Sequence, residues 1–400
     1  MRIFLILLLS IPCVLCTKAQ IDYDEVLGGN LNTITTAVPF LLISPDSRSG
    51  AMGDVGVATT PDATSMHWNP AKLSFTQDDI GISVSIVPWL RELVPDINLQ
   101  YIGGYYKLNN TDAIGYELRY FSLGDITFTD NSGQVIGQYK PNEMAIGTAY
   151  SRKLSRDFAI AISARYIYSN LTGGQTAGGT ETVAGQSISS DISTFYTRPT
   201  SIGGKKSDIS LGMNISNMGN KISYTETITR DFIPINLRVG TDITTEMDDY
   251  NKISFAIDFN KLLVPSPPLY NEDGEIIAGK DPDVGIVTGI FQSFGDAPGE
   301  IDENGIPIPG SKFKEEMREI NVSAGMEYWY ANQFALRAGY FHEHDTKGGR
   351  KYLTFGSGVK YNVFALDFSY LISTSNIGGT NPLANTMRFT LVFDLGAMGS

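Results

Sequence analysis

The chain has 400 residues, of which 18% are charged and 11% aromatic, with a net charge of −13 and two cysteines. The charged fraction lies below the ~25% usual for soluble domains. The acidic balance and the missing basic stripe exclude a nucleic-acid partner, whose phosphates require clustered cations.

Residues 1–19 read as a cleaved signal peptide: Arg2 at the start, an apolar stretch from Ile3 to Cys16, and small Thr17 and Ala19 before the cut. The apolar stretch falls short of the ~20 residues that span a bilayer. Loss of Arg2 and Lys18 takes the net charge from −13 to −15. Both cysteines, Cys13 and Cys16, leave with the leader, so neither a disulfide framework nor a Cys-ligated metal is expected.

Residues 20–79 lack period-2 alternation and are rich in Thr, Asp, Gly and Pro, with short helical turns expected around Ser47–Gly53 and Asp62–Met66. They read as a compact segment outside any sheet wall. From Ile80 the pattern changes to strand-length stretches. The predicted strands are 80–87, 97–108, 112–122, 143–153, 157–169, 207–216, 221–229, 235–246, 251–262, 318–330, 333–344, 351–361, 363–373 and 386–395. Phe158, Ile160, Ile162, Tyr166 and Tyr168 share one face, as do Phe364, Leu366, Phe368 and Tyr370; Arg165 and Asp367 stand on the opposite faces.

The connections alternate between short and long. Short turns fall at 109–111, 154–156, 217–220, 247–250, 331–332 and 362, and longer segments at 88–96, 123–142, 170–206, 263–317 and 374–385. Short loops at 230–234 and 345–350 take the remaining long-side slots, and 125–139 reads as an extra hairpin within its loop. This rhythm predicts an all-β fold, a fourteen-stranded antiparallel transmembrane β-barrel over residues 80–396. The expected place is a cell outer membrane, with both termini on the short-turn, periplasmic side and the long loops extracellular. Residues 170–206 read as a Gly/Ser/Thr-rich solvated loop, and 263–317 as a Pro-rich acidic one.

No catalytic set or cofactor is expected. The chain carries no Walker loop, Rossmann fingerprint or H-E-x-x-H. His342 and His344 lie at i and i+2 at a strand end but have no identifiable third ligand. Asp302-Glu303-Asn304-Gly305 lacks the spacing and closing Glu of a calcium loop. The charges Glu117, Arg119, Arg165, Arg238, Asp242, Asp258, Arg337 and Asp367 are expected to face the lumen, either lining a channel or forming a salt-bridged filling. In the outer loops, Trp89, Leu90 and Leu93, and Leu269 and Tyr270, are candidates for rim packing or partner contact.

The stretch SPDSRSGAMGDVGVATTPDATSMHWNPAK, residues 44–72, carries an Arg, a Met-Gly, a Gly-Val-Ala and an Asn-Pro-Ala in sequence. It resembles the PorV (LptO) family of type IX secretion system outer-membrane proteins, within the FadL-like barrels. The resemblance implies a barrel of FadL type with residues 20–79 as a hatch in the lumen. Arg48, Gly53, His67, Trp68, Asn69 and Pro70 are then hatch-motif residues. It further implies a non-enzymatic shuttle that takes cargo by its C-terminal signal domain from a very large translocon barrel of SprA/Sov type. Delivery is to a cell-surface attachment complex containing a PorU-type protease, where cargo joins lipopolysaccharide in the outer-membrane lipid. A FadL-like transporter of hydrophobic small molecules is the alternative, for which Gly103-Gly104 is a candidate wall break.

Overall fold

The computed structural model describes residues 31–396, apart from 91–93, 95, 130–131, 175, 178–179, 226–229, 272, 301, 303–307 and 375–384. The leader, Leu93, most of 374–385, Glu303 to Gly305 of the acidic quartet, and the last four residues lie outside the described residues.

Fourteen antiparallel strands close into one barrel, each paired with its chain neighbour and the last with the first. They are β1 (Ile80–Pro88), β2 (Ile97–Lys107), β3 (Asp112–Leu123), β4 (Asn142–Lys153), β5 (Phe158–Asn170), β6 (Gly185–Ile202), β7 (Lys205–Gly219), β8 (Asn236–Glu246), β9 (Asn251–Leu262), β10 (Asn321–Tyr330), β11 (Phe334–His342), β12 (Lys351–Tyr361), β13 (Phe364–Ser373) and β14 (Met387–Leu395). Closure leaves no unpaired sheet edge, which a hydrocarbon environment demands.

The burial pattern is that of a membrane barrel turned outward. In β5, Ile160, Ile162 and Tyr166 are exposed, whereas Ser163 and Arg165 are buried. Bulky apolar side chains thus face lipid and polar ones face the lumen. Aromatic residues gather at the short-turn rim, where Tyr250, Tyr330, Phe334, Tyr361 and Phe364 are exposed, as an interfacial girdle requires.

The strand count agrees with expectation, but two strands are exchanged. Residues 185–202, read from sequence as part of a flexible loop, form β6, the longest strand of the wall. Ser187, Ser189, Asp191, Ser193 and Phe195 point inward and are buried, while Ile188 and Ile192 face lipid. The low-charge Ser/Thr composition is that of a lumen-facing strand, not a solvated linker. Gly203-Gly204, with φ of +59° and +79°, makes the hairpin turn to β7; two-residue turns with positive φ match strand twist. Conversely, residues 221–225 of the expected strand 221–229 lie outside the barrel, touching other loops through isolated bridges Ile222↔Asp231 and Thr182↔Thr225. The exchange reverses the direction of 207–216. Its start now lies at a short turn, and Asn217 to Asn220 lies at the long-loop rim.

The segment 125–139 does form a hairpin, pairing Ile126–Thr129 with Val135–Tyr139. Strand β2 is continuous through Gly103 and Gly104, which pair with Ser83 and Ile82 on one side and Glu117 and Tyr116 on the other. The candidate wall break is therefore not a break. Tyr101 and Tyr116 rings occupy the space above these glycines.

Ile80 and Leu395 stand at the short-turn rim, as expected for the barrel ends. The segment leading to β1 starts at the other rim. Asn32 donates its backbone N–H to Thr346 O at 3.0 Å, in a long-side loop, and the chain then descends through the lumen to reach Ile80.

Candidate functional site

The lumen segment is the first part of the site. Asp46 caps the helical turn Ser47–Gly50 by accepting from Ser49 N at 2.8 Å. A second turn, Ser65–Trp68, runs into the 3-10 helix Pro70–Phe75, whose start Asn69 caps by accepting from Ala71 N at 3.0 Å. Nearly every side chain from Ser44 to Ser74 is buried.

Hydrogen bonds tie this segment to strands around the circumference. Arg119 of β3 donates to Leu41 O at 2.8 Å. Ser151 of β4 donates to Ala71 O at 3.1 Å. Asn69 donates to Thr194 O of β6 at 2.9 Å, and Asn214 of β7 donates to Trp68 O at 3.1 Å. Asp258 of β9 accepts from Gly56 N and Val57 N at 2.8 and 3.0 Å. Gly53 N and Ser47 N donate to Thr354 of β12 and Thr390 of β14, each at 2.8 Å.

Arg48 is the main ionic anchor. It reaches Glu327 of β10 at 2.7 Å and Asp62 of its own segment at 2.7 Å. Arg337 holds the same Glu327 at 2.7 Å and Asp367 at 2.5 Å. On the other side of the lumen Arg165 bridges Glu117 and Asp191 at 2.6 and 2.9 Å. Glu117, Arg119, Arg165, Arg337 and Asp367 are thus ion-paired inside the barrel, whereas Arg238 bonds Asn260, Asp242 bonds Thr244 and Ser254, and Asp258 bonds the segment's backbone, so each buried charge has partners in place of water.

Trp68 is 1% exposed. Its indole N–H donates to Asp46 at 2.6 Å, Arg238 covers its ring at 4.6 Å, and Gly56 lies against the ring face. His67 packs edge-on to Trp68 and hydrogen-bonds Arg119. Pro70 is the first residue of its 3-10 helix. Gly53, at φ +69°, presses on the Tyr340 backbone.

The wall is shaped to receive this segment, a feature the sequence reading missed. A Cβ on Gly339 would stand 2.0 Å from Met52 C, and one on Gly212 would stand 2.1 Å from Val57 O. Gly325 and Gly356 meet Met52 and Ala51 in the same way. These glycines sit at inward positions of their strands, and that phase is the signal that could have found them.

Two spaces flank the segment. On the short-turn side a cavity of about 800 Å³ is lined by Arg48, Asp62, Glu246, Arg337, Asp367 and Asp394, among others. On the long-loop side, Val38, Phe40 and Leu41 fill an apolar cluster with Leu99, Phe121, Ile167, Ile233 and Leu263. Trp89 and Leu90 pack on this cluster half-buried.

The second part is the platform on the long-loop rim. The connection 263–320 carries a small hairpin at Leu269–Tyr270 and Ile276–Ala278, and two helices, α1 (Ile286–Gln292) and α2 (Ser311–Arg318). It is held by buried ion pairs: Glu315 to Lys347 at 2.7 Å, and Glu319 to Lys261 at 2.5 Å and to Lys347 at 3.0 Å. Asn32 donates to Glu315 at 2.9 Å, tying the lumen segment to the platform. Burial pushes the Glu319 carboxyl up, but Lys261 and Lys347 outweigh it and hold it below the ordinary glutamate value. Burial raises Asp296, against the pull of the Ser266 N–H.

Ile286 and Ile290 of α1 face the apolar cluster, whereas Val287, Phe291 and Phe294 are exposed, at 68%, 74% and 54%. Tyr270 is also exposed and Leu269 half-buried. His342 ends β11, and His344 accepts from Thr346 N at 3.3 Å as a cap. Among the described residues no group of three His, Cys, Asp or Glu side chains is arranged to hold a metal.

The family described as "Type IX secretion system protein PorV" matches residues 28–269. Among curated proteins, none matches the chain. Among solved structures the chain is similar to the CymD monoaromatic hydrocarbon channel, at 12% identity and a TM-score of 0.47, covering 90% of this chain and 99% of that one. It is likewise similar to the toluene transporter TbuX of Ralstonia pickettii, at 10% identity and 0.47, covering 91% and 98%. A FadL homologue of Pseudomonas aeruginosa matches at 10% identity and 0.42, covering 91% and 99%.

Proposed function

The chain belongs to the PorV family of type IX secretion system proteins, and from that premise we propose that it is the outer-membrane shuttle of this secretion route. It receives cargo by the C-terminal signal domain at a large translocon barrel of SprA/Sov type. It then presents the cargo to an attachment complex containing a PorU-type protease, beside outer-membrane lipid and lipopolysaccharide. The short-turn rim, with β1 and β14 ends, faces the periplasm, and the platform faces outward.

One observation carries the reading: the lumen is occupied by a segment bonded to the wall around the circumference, while among the described residues outside the wall the exposed apolar groups are most numerous on the platform. A protein with a sealed bore acts on other molecules at its rim. Val287, Phe291, Phe294 and Tyr270 offer apolar anchors of the kind that dominate protein interfaces. The same geometry weighs against uptake of hydrophobic solutes. The apolar space above the segment is filled by the chain's own Phe40 and Leu41, and the cavity below is lined by charge.

The test is gentle detergent extraction of a tagged copy from its own membranes, followed by mass spectrometry. The expected result is co-recovery of a giant barrel protein and secreted proteins sharing a C-terminal domain. A copy with residues 267–315 replaced by a short linker should still fold, yet lose the cargo. Recovery of the barrel alone, with fatty acid or aromatic solute bound, overturns the shuttle. Fatty-acid uptake that disappears with the gene points the same way.

A further inference from the structure

Helix α2 is seated by polar contacts. Ser311, Glu315, Glu316 and the capping Glu319 are buried, whereas both apolar side chains of the helix, Phe313 and Met317, are exposed. Apolar burial therefore does little to hold the helix down, and a helix this short is unstable unaided. Its seat has two cations. Lys261, at the end of β9, meets Glu316 and Glu319 at 3.3 and 2.5 Å. Lys347, in the β11–β12 loop, meets Glu315 and Glu319 at 2.7 and 3.0 Å. The N–H groups of Ala297 and Gly299 donate to Glu316 and Glu315 at 2.9 and 2.6 Å. Asp296 is buried beside these glutamates, and its Oδ1 has no partner among the described residues. Two lysines thus face four buried carboxylates. Withdrawal of either lysine leaves like charges confronting one another out of water.

Asn32 is buried against this seat. It has three N–H hydrogens to donate, and each goes to a different place. The backbone N–H donates to Thr346 O of the β11–β12 loop at 3.0 Å. The side-chain amide donates to Glu315 of α2 at 2.9 Å and to Pro267 O, near the start of the platform connection, at 3.1 Å. Oε1 of Glu315 accepts from Asn32 and from Lys347 together. The next backbone tie of the lumen segment is Ala37 N to Phe232 O, at 2.9 Å.

We propose that Asn32 is a pin through which the seating of α2 governs the outer end of the lumen segment. With α2 seated, Asn32 is clamped between platform and loop. With α2 lifted, Asn32 loses its charged acceptor and the segment loosens as far as Ala37. The coupling is reciprocal, because a loosened segment takes a donor away from Glu315. A molecule that binds the platform and displaces α2 therefore loosens the lumen segment without touching it. The device rests on these contacts and is independent of which protein the platform receives.

Hydrogen exchange on the full-length protein in nanodiscs, resolved to single amides, tests the pin. Lys261 bonds Glu316 and Glu319, and among the described residues it has no bond to Asn32 or to the loop 345–350. Lys261→Met should speed exchange of the α2 amides about 100-fold, the scale of a broken buried ion pair. The Asn32 amide should follow, about tenfold faster, the scale of one hydrogen bond to a charged group. The wall strands should keep their protection. Lys261→Gln, which keeps a donor without the charge, is the milder variant and should move both sites in the same direction. Asn32→Asp sets a carboxylate against Glu315 and should in turn speed α2. Phe313→Ala, on the exposed side of the same helix, should change neither site. Faster exchange in α2 with the Asn32 amide unchanged overturns the proposal. So does an Asn32→Asp variant that leaves α2 as it was. Unchanged exchange in α2 after loss of the Lys261 charge removes the ionic seat, and the proposal with it.

Discussion

At the scale of single residues, the lumen segment is held by a few side chains whose loss is measurable. Arg48 stands between Glu327 and Asp62, both largely buried. Arg48→Ala leaves carboxylates short of a cation and should cost about 3 kcal/mol, read as a shift in the urea midpoint with unchanged slope. Gly339→Val drives a side chain into the Met52–Gly53 backbone. Overpacking of this kind costs about 1–3 kcal/mol or more, and trypsin should then cut after Arg48 in an otherwise intact barrel. Gly137→Val, where nothing lies within 4 Å, should leave Arg48 protected. Glu319 carries a pH signature. Its folded pKa lies below its unfolded value of 4.5, so its stabilisation is complete above pH 4.5 and is lost as pH falls through the folded value. Hydrogen exchange in α2 should accelerate below that point and not above it. Of these residues, Arg48 and Trp68 were legible in the sequence as a motif. Asp46 lies in the same motif and Arg238 among the expected lumen charges, but Glu327 was not singled out, and the pairings themselves, across up to 279 positions, leave no local trace.

At the scale of elements, the wall was legible wherever one face of a strand is bulky and apolar. It failed where that face is thin. Strand β6 presents Gln186, Ser190 and Thr194 to the outside between Ile188 and Ile192, so its hydropathy resembles that of a loop. The Gly203-Gly204 turn was the missed signal. Residues 221–225 alternate as well, but Ile222 serves the apolar cluster at the rim, while β6 and β7 already occupy the wall. The difference is testable by labelling intact cells with an impermeant thiol reagent. Asn220→Cys should react from outside, and Lys205→Cys only after the outer membrane is opened. The arrangement read from sequence alone requires the reverse.

At the scale of the whole molecule, the barrel carries a wall-bonded segment through its lumen and a platform on one rim, an arrangement expected to seal the bore. The segment from Asn32 to Phe75 enters among the outer loops, crosses the lumen and leaves at the opposite rim, so it stitches the two rims together. Intact protein in a planar bilayer should therefore show no steady conductance. A persistent open channel would contradict the seal. The ion pairs at Glu315 and Glu319 tie the described part of the long acidic connection to Lys261 and Lys347, although its Pro-rich composition resembles that of a linker.

The sequence by itself determined the class, the membrane face and the family resemblance, because these depend on local quantities: period-2 alternation, the rhythm of turns and a contiguous motif of about thirty residues. Only the tertiary structure decided which fourteen segments form the wall, that Glu117, Arg165, Arg337 and Asp367 are ion-paired, and that the platform has an ionic base. Strand choice in a closed barrel is collective: each slot is filled by whichever segment leaves no edge unpaired. Charge pairing in the lumen likewise depends on residues that only the closed ring brings together.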